Sequence, residues 1–179
     1  EIQIIKNAEN GKIINDGINI GIIGKPNVGK SSLLNALLGE EKAIVTDIEG
    51  TTRDIVEGKL ILNGVMCNIL DTAGIRKTAD IVEQLGVNKS LEIIDKSDLI
   101  LFVLNNNEKL TIEEQEILKK IKTKKHIIVI NKTDLSDELI IEESNIIKIS
   151  VKENFGLDNL KNKIIEMFNL EEINTKDMT

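Results

Sequence analysis

The chain has 179 residues, a length that fits one domain with a sizeable buried core. Its formal net charge of −7 and its aromatic content of 2% argue against direct contact with nucleic acid, since Lys and Arg bind phosphates and aromatic rings stack on bases. No apolar run approaches the ~20 residues that cross a bilayer, so we expect no membrane partner, and the single Cys67 excludes an internal disulfide and suits the cytoplasm.

The two ends of the chain differ in composition from its middle. Residues 1–16 are polar and weakly patterned, and residues 171–179 are charged and lack an apolar face. We expect both to be linker stubs around one domain of residues 17–170. The chain begins with Glu1 instead of Met, which favours a piece cut from a longer protein.

Between these stubs, apolar strand-like runs alternate with helical patterns, as in βαβ units around a mostly parallel sheet. The predicted strands are Ile18–Ile23, Leu60–Leu62, Val65–Cys67, Leu99–Leu104, His126–Ile130 and Ile146–Ile149. Asn63-Gly64 predicts a hairpin turn, and hence one antiparallel edge strand. The predicted helices are Ser31–Leu38, a helix capped at Thr111 that ends near Lys122, and one with Leu157, Leu160, Ile164 and Phe168 on a single face.

A phosphate-binding pattern lies between the first predicted strand and the first predicted helix. Gly24–Ser31 (GKPNVGKS) matches GxxxxGK[ST], whose glycines let backbone N–H groups surround phosphates. Lys30 would reach the outer phosphates, and the Ser31 hydroxyl would bind Mg²⁺. The other nucleotide-binding candidates in this loop are Asn27, Val28, Gly29 and Ser32.

A base-reading pattern follows the fifth predicted strand. Within Asn131-Lys132-Thr133-Asp134, an NKxD motif, the Asp134 carboxylate can accept hydrogen bonds from guanine N1 and N2, a donor pair that adenine lacks. Asn131 can contact N7 and join loops, and the Lys132 stem can lie along the base. Ser150-Val151-Lys152 resembles the SA[KL] element, whose backbone touches guanine O6, with Val in place of Ala.

A third motif raises a question about hydrolysis. Asp71-Thr72-Ala73-Gly74 resembles the DxxG element that senses the third phosphate of GTP. In Ras-like and Gα proteins the next residue is a glutamine that orients the attacking water. Here it is Ile75, which can neither hold nor polarise a water. Either the chain binds nucleotide without cutting it, or another residue supplies the catalytic group.

Two longer stretches resemble a known family. Asp47–Asp54 (DIEGTTRD), together with the preceding GKPNVGKSSLLNALL, is similar to the TrmE–Era–EngA group of bacterial GTPases. Asp71–Ser90 (DTAGIRKTADIVEQLGVNKS) most resembles the MnmE (TrmE) family of tRNA-modification GTPases. The resemblance covers Ile13 to about Leu170 and implies a Ras-like P-loop GTPase fold: a mostly parallel six-stranded sheet with one antiparallel edge and helices on both faces.

The resemblance also implies two metal ions. The implied potassium ligands are Asn27, the carbonyls of Thr46 and Ile48, and Thr51. A monovalent cation beside the β–γ bridge would offset the charge that develops on the leaving oxygens. Thr52 would be a second Mg²⁺ ligand beside Ser31, and Asp71 would reach that ion through water.

The resemblance supplies a candidate for the missing catalytic group. Asp80–Glu83 matches the family's D-x-V-E context, so Glu83 would orient the water, with Lys30 and Thr52 as further catalytic residues. From the residues alone, Glu83 is equally a first-turn glutamate that favours a helix N-terminus. Arg53 and Arg76 are candidate arginine fingers, but surface salt bridges explain such residues more often.

Three functions follow from these patterns. The first is a K⁺-stimulated GTPase whose domains pair across their switch faces; in the family, with an MnmG (GidA)-type partner, this serves modification of the tRNA wobble uridine. The second is a ribosome-assembly GTPase of the EngA or Era type. The third is a GTP-binding module with little turnover, in which Ile75 marks an inactive site.

Overall fold

The computed structural model describes residues 17–25, 28–40, 56–71 and 91–168. The strands are β1 (Ile18–Ile23), β2 (Val56–Leu62), β3 (Val65–Asp71), β4 (Leu99–Asn105), β5 (His126–Asn131) and β6 (Ile146–Lys148). The helices are α1 (Lys30–Glu40), α2 (residues 91–96), α3 (Ile112–Ile121) and α4 (Leu157–Phe168). None of the helices within these ranges is both long and apolar enough to cross a bilayer.

The six strands form one sheet in the order β2-β3-β1-β4-β5-β6. Each neighbouring pair is parallel except β2 and β3, which form an antiparallel hairpin at one edge. The predicted six-stranded architecture is confirmed. Because β1, β3, β4, β5 and β6 run parallel to one another, their carboxyl ends meet along one edge of the sheet.

The hairpin turn follows from its two central residues. Asn63 has φ +48° and Gly64 has φ +81°, as a type I′ turn requires at both positions. The turn brings Leu62 opposite Val65 and confirms the hairpin prediction. Both strands are longer than the predicted apolar cores, because the ladder continues through polar residues such as Lys59, which pairs with Asn68.

Aliphatic side chains cover both faces of the sheet, and every residue of β4 is buried. On one face, α1 and α4 pack through residues such as Leu33, Leu37 and Leu160. On the other face, Ile93 of α2 and Ile121 of α3 pack against the sheet. The predicted apolar face of the last helix is confirmed, because its four residues, Leu157, Leu160, Ile164 and Phe168, are all buried.

The start of α3 confirms the predicted capping box. The Thr111 backbone N–H donates to Glu114 Oε1 at 2.9 Å, and the Glu114 N–H donates to Thr111 Oγ1 at 3.2 Å. These reciprocal bonds satisfy two N–H groups that a helix start leaves without partners. The helix ends at Ile121, with Lys122 as its C-cap.

Cys67 is fully buried in β3, as expected of a small apolar strand residue. Burial raises the pKa of its thiol to about 12, so the thiolate that would act as a nucleophile is scarce at neutral pH. His126 begins β5, and its ring Nδ1 lies 2.9 Å from the carbonyl oxygen of Lys124. Neither residue belongs to the candidate site described below.

Candidate functional site

The candidate binding residues lie along one edge of the sheet. Gly24 follows β1, Asp71 ends β3, Asn131 ends β5, and Ser150 follows β6. The strand register places Asp71 beside Ile22 of β1. In open α/β sheets, ligands bind outside the carboxyl ends of the strands. The structure therefore brings the phosphate-binding loop, the end of the DxxG strand and the base-reading loop to a common edge.

The loop between β1 and α1 is closed by its own backbone. The Val28 N–H donates to the Lys25 carbonyl at 3.3 Å, and the first helical bond runs from the Leu33 N–H to the Gly29 carbonyl at 2.8 Å. Gly29 has φ +88°, and a Cβ there would lie 2.6 Å from Asn131 Nδ2. A glycine is required at this position because the positive φ strains any residue with a Cβ, and because the loop also passes closely over the Asn131 side chain.

The Lys30 side chain turns back over this loop. Lys30 is 6% exposed, and its Nζ donates to the Gly24 carbonyl at 2.7 Å. Ser31 and Ser32 follow with exposed side chains in the first turn of α1. That turn contains no acidic residue, so no carboxylate of its own offsets the positive end of the helix dipole. An ammonium and a helix N-terminus at one place can bind a phosphate.

Asn131 connects the phosphate-binding loop to the loop that follows β6. Asn131 is 4% exposed. Its Nδ2 donates to the Val28 carbonyl at 2.9 Å, and its Oδ1 accepts from the Val151 N–H at 3.2 Å. An amide nitrogen carries two N–H groups, so the Val28 contact is compatible with a further contact to guanine N7. One side chain thus fixes the relative position of two loops from distant parts of the sequence.

The loop that follows β6 also holds the Asp134 carboxylate. Its Oδ1 accepts a hydrogen bond of 2.8 Å from the Ser150 hydroxyl, and Ser150 is 2% exposed. Thr133 adds a bond from its hydroxyl to the Ile149 carbonyl at 2.9 Å. The sequence pattern predicted only a backbone contact from Ser150, and it missed the role of this hydroxyl in orienting the Asp134 carboxylate.

Val151 stands where the SA[KL] pattern has alanine. Its backbone N–H takes part in the Asn131 contact, and its half-buried side chain packs against the core beneath α1 and α4. The larger side chain is therefore directed to the core. Lys152, the next residue, is exposed.

A charge cluster that the sequence patterns did not predict anchors the phosphate-binding loop. Lys25 Nζ lies 3.2 Å from Glu108 Oε2 and 3.4 Å from Glu114 Oε1. The Glu114 side chain is 6% exposed and also caps α3. The loop after β1 is thus tied to the loop after β4 and to the start of α3. The capping motif revealed Glu114, but no sequence pattern indicates that it meets Lys25.

The pKa values of Lys25 and Glu108 are both shifted in the direction that favours the charged form. Burial lowers the pKa of Lys25, but Glu108 and Glu114 outweigh that effect and the net pKa is raised. The pKa of Glu108 is lowered by the neighbouring Asn105 amide and then by Lys25. The Asn105 contact falls short of a regular hydrogen bond, since neither polar atom of that amide has a partner of good geometry among the described residues.

Several predicted site residues lie outside the described residues, and their predictions stand as made. They are Asn27, Thr46, Ile48, Thr51, Thr52, Thr72, Ala73, Gly74 and Glu83. The candidate fingers Arg53 and Arg76 lie outside them as well. Asp71 is described only by its place at the end of β3.

Comparison with known proteins identifies related sequences and folds. A family model described as a 50S ribosome-binding GTPase matches residues 19–132. The tRNA modification GTPase MnmE of Finegoldia magna is 52% identical over 171 residues, which is 93% of this chain and 38% of that protein. MnmE of Streptococcus agalactiae is 48% identical over 168 residues, 93% of this chain and 37% of that protein. The chain thus spans less than half the length of these relatives.

The fold has a counterpart among solved structures. A crystal structure of a variant of Era from Aquifex aeolicus, bound to GDP and AlF₄⁻, superposes with a TM-score of 0.60. Its sequence is 32% identical to this chain, and the match covers 83% of this chain and 56% of the Era chain. The predicted Ras-like P-loop fold class is confirmed by this likeness together with the sheet order.

The Lys25 cluster can be tested by substitution. Lys25→Met removes the cation and leaves the buried Glu114 carboxylate without its ammonium partner, so we expect a loss of about 1–2 kcal/mol in the free energy of unfolding at pH 7, measured by urea denaturation. Lys96→Met is the matched control, because the Lys96–Glu92 pair is about 40% exposed on both sides, and we expect a loss below about 0.5 kcal/mol.

The same comparison has a defined pH dependence. Because the pKa of Glu108 is lowered in the folded state, the stabilisation that its carboxylate contributes is fully present above its unfolded pKa, near 4.3. That stabilisation is lost as the pH falls through the lower pKa of the folded state. The raised pKa of Lys25 means that its contribution is present below about pH 10.4 and is lost at higher pH. The difference in unfolding free energy between wild type and Lys25→Met should be smaller in acid than at pH 7. A difference as large below about pH 4 as at pH 7 would contradict the pairing.

Proposed function

The chain belongs to the family of GTPase domains described above and resembles the corresponding part of MnmE, and on that premise we propose that it is the GTP-hydrolysing domain of a tRNA-modification protein. The observation that carries this proposal is identity of 48–52% to MnmE relatives over 93% of the chain. The larger protein would act in the cytoplasm on the wobble uridine of tRNA, with a partner of the MnmG (GidA) type.

GTP and GDP are the ligands that the described geometry supports best. Lys30 and the start of α1 offer positive charge for phosphates, and Asp134 offers an oriented carboxylate for the base. Asn131 joins the two parts through Val28 and Val151. A bound guanine nucleotide would extend between them, with its phosphates toward Lys30 and its base toward Asp134.

Mg²⁺ fits the chemistry of the residues proposed to hold it. Ser31 offers an exposed hydroxyl in the first turn of α1, and Asp71 ends the strand beside β1. Hydroxyl, carboxylate and water oxygens are the ligands that Mg²⁺ prefers in proteins. We place Thr52 as the remaining protein ligand. The ion, when bound, would offset negative charge between the outer phosphates.

Hydrolysis requires a replacement for the glutamine whose position Ile75 occupies. We propose that Glu83 orients the water and that K⁺ offsets the developing charge, held by Asn27, Thr51 and the carbonyls of Thr46 and Ile48. This arrangement is supported by the resemblance of Asp47–Asp54 and Asp71–Ser90 to the MnmE family. The GTPase family membership argues against the alternative of a binding module with little turnover.

A ribosome-associated role is the second candidate. It is favoured by the description of the matching family model and by the likeness to Era, one structure of which is a complex with nucleotides of 16S ribosomal RNA. The net charge of −7 argues against RNA contacts by this domain itself, so such binding would belong to other parts of the protein. Co-sedimentation of the full-length protein with ribosomal subunits, compared with binding to its tRNA substrate, would separate the two roles.

The catalytic proposal predicts a dependence on the cation. At equal ionic strength, kcat for GTP should be at least about tenfold higher in KCl than in NaCl, because K⁺ offsets charge that forms only in the transition state. Glu83→Ala should lower kcat in KCl by about 10²-fold or more while the Kd for GDP changes less than about twofold. Phosphate release measures the rate, and isothermal titration measures binding.

Glu116→Ala, an exposed glutamate on α3, is the matched control and should leave kcat unchanged. Equal rates in the two salts, together with a Glu83→Ala variant as active as wild type, would contradict the mechanism. Guanine binding would then remain, since Glu83 is not assigned to it.

Pairing of the domains is a separate prediction. GDP with aluminium fluoride mimics the transition state, so in KCl it should convert the chain from monomer to dimer across the switch faces. Light scattering coupled to gel filtration should report a doubled mass, and NaCl or GDP alone should give the monomer. A monomer under all of these conditions would count against pairing during turnover.

A further inference from the structure

The residue after β4 is an asparagine with many contacts to the base-reading loop. Asn106 is 4% exposed, and its backbone N–H donates to the Asn131 carbonyl at 2.9 Å. Its carbonyl accepts from the N–H groups of Glu138 and Leu139, at 2.9 Å and 3.0 Å. The main chain of this one residue therefore binds the loop both before and after Asp134.

The side chain of Asn106 completes the contact. Its Nδ2 lies 2.7 Å from Asp137 Oδ1 and 3.4 Å from the carbonyl oxygens of both Leu135 and Ser136. All three partners are acceptors, so only a donor fits at this position. An aspartate of the same shape would place a carboxylate oxygen against three other oxygens.

The contacted segment has little structure of its own. Residues 132–143 form neither helix nor strand, and residues 134–138 are exposed. A segment without its own ladder of hydrogen bonds depends on contacts from outside for its conformation. On the side of β6 these contacts come from Ile149 and Ser150, and on the side of β4 they come from Asn106.

We propose that Asn106 is a positioning residue for guanine recognition, resting on the proposed function of the site as a guanine-nucleotide pocket. Ser150 fixes one oxygen of the Asp134 carboxylate, and Asn106 fixes the main chain that carries Asp134. Both are needed for that carboxylate to meet N1–H and N2–H of the base together. Asn106 touches neither nucleotide nor metal in this account and acts through the loop.

The test compares the affinities for GDP and IDP, the second of which lacks the 2-amino group. Wild type should prefer GDP by about 10–10²-fold, the effect of one hydrogen bond to a charged acceptor. In Asn106→Asp the displaced Asp134 should lose that contact, and the preference should fall below about threefold. A purely structural role would weaken both nucleotides by the same factor and leave their ratio unchanged.

Four further variants sharpen the test. Asn159→Asp makes the same chemical change at an exposed position of α4 and should keep the wild-type ratio. Asp134→Ala should abolish the preference outright. Asn106→Asp combined with Asp137→Asn restores a donor–acceptor pair with reversed polarity at the 2.7 Å contact and should recover part of the preference. Asn106→Ala removes the donor without adding charge, and it replaces Asn106→Asp in the GDP/IDP comparison if Asn106→Asp does not fold.

A preserved GDP/IDP ratio in a folded Asn106 variant would overturn this inference alone. A double variant with no recovery over Asn106→Asp would count against the Asp137 contact as the means of positioning. A wild-type chain that bound GDP and IDP equally would instead overturn the guanine pocket, and the inference with it. Thermal unfolding of each variant shows that the proteins compared are folded.

Discussion

The organisation of the site depends on one buried amide. Asn131, at the end of β5, donates to the Val28 carbonyl of the phosphate-binding loop and accepts from the Val151 N–H after β6. Gly29 must be a glycine because its φ is positive, and a Cβ there would also lie against this side chain. The part that would hold phosphates and the part that would read the base are therefore both hydrogen-bonded to a single residue of the sheet edge.

Each of the two loops that Asn131 connects is also fixed by a second contact, away from Asn131. Lys25 holds the phosphate-binding loop to Glu108 and Glu114, and Asn106 holds the segment after Asp134. These contacts come from the loop after β4 and the start of α3, which carry no residue predicted to touch the nucleotide. This arrangement explains how irregular loops can present a defined pocket: the rigid sheet and helix start supply the positions that the loops lack.

Much of the fold could be predicted from the sequence, because its signals are local. The Asn63-Gly64 turn, the Thr111 capping box and the periodic apolar face of α4 each depend on residues a few positions apart. Helix α2 was not predicted, and the β2–β3 hairpin proved longer than its apolar core. The Lys25–Glu108 pair could not be predicted, since it joins residues 83 positions apart without a shared motif. The GxxxxGK[ST] and NKxD motifs indicated the binding edge, but not the amide and hydroxyl that orient it.

The role of Asn131 is tested most directly by the dissociation rate of a fluorescent GDP analogue from Asn131→Ala, followed by stopped flow. The substitution leaves the Val28 carbonyl and the Val151 N–H without their partner, at a cost of about 1–3 kcal/mol each. We predict dissociation at least about 10²-fold faster than from wild type, with the chain still folded. A rate within twofold of wild type would contradict the account, because the two halves of the pocket would then be held together by something other than this side chain.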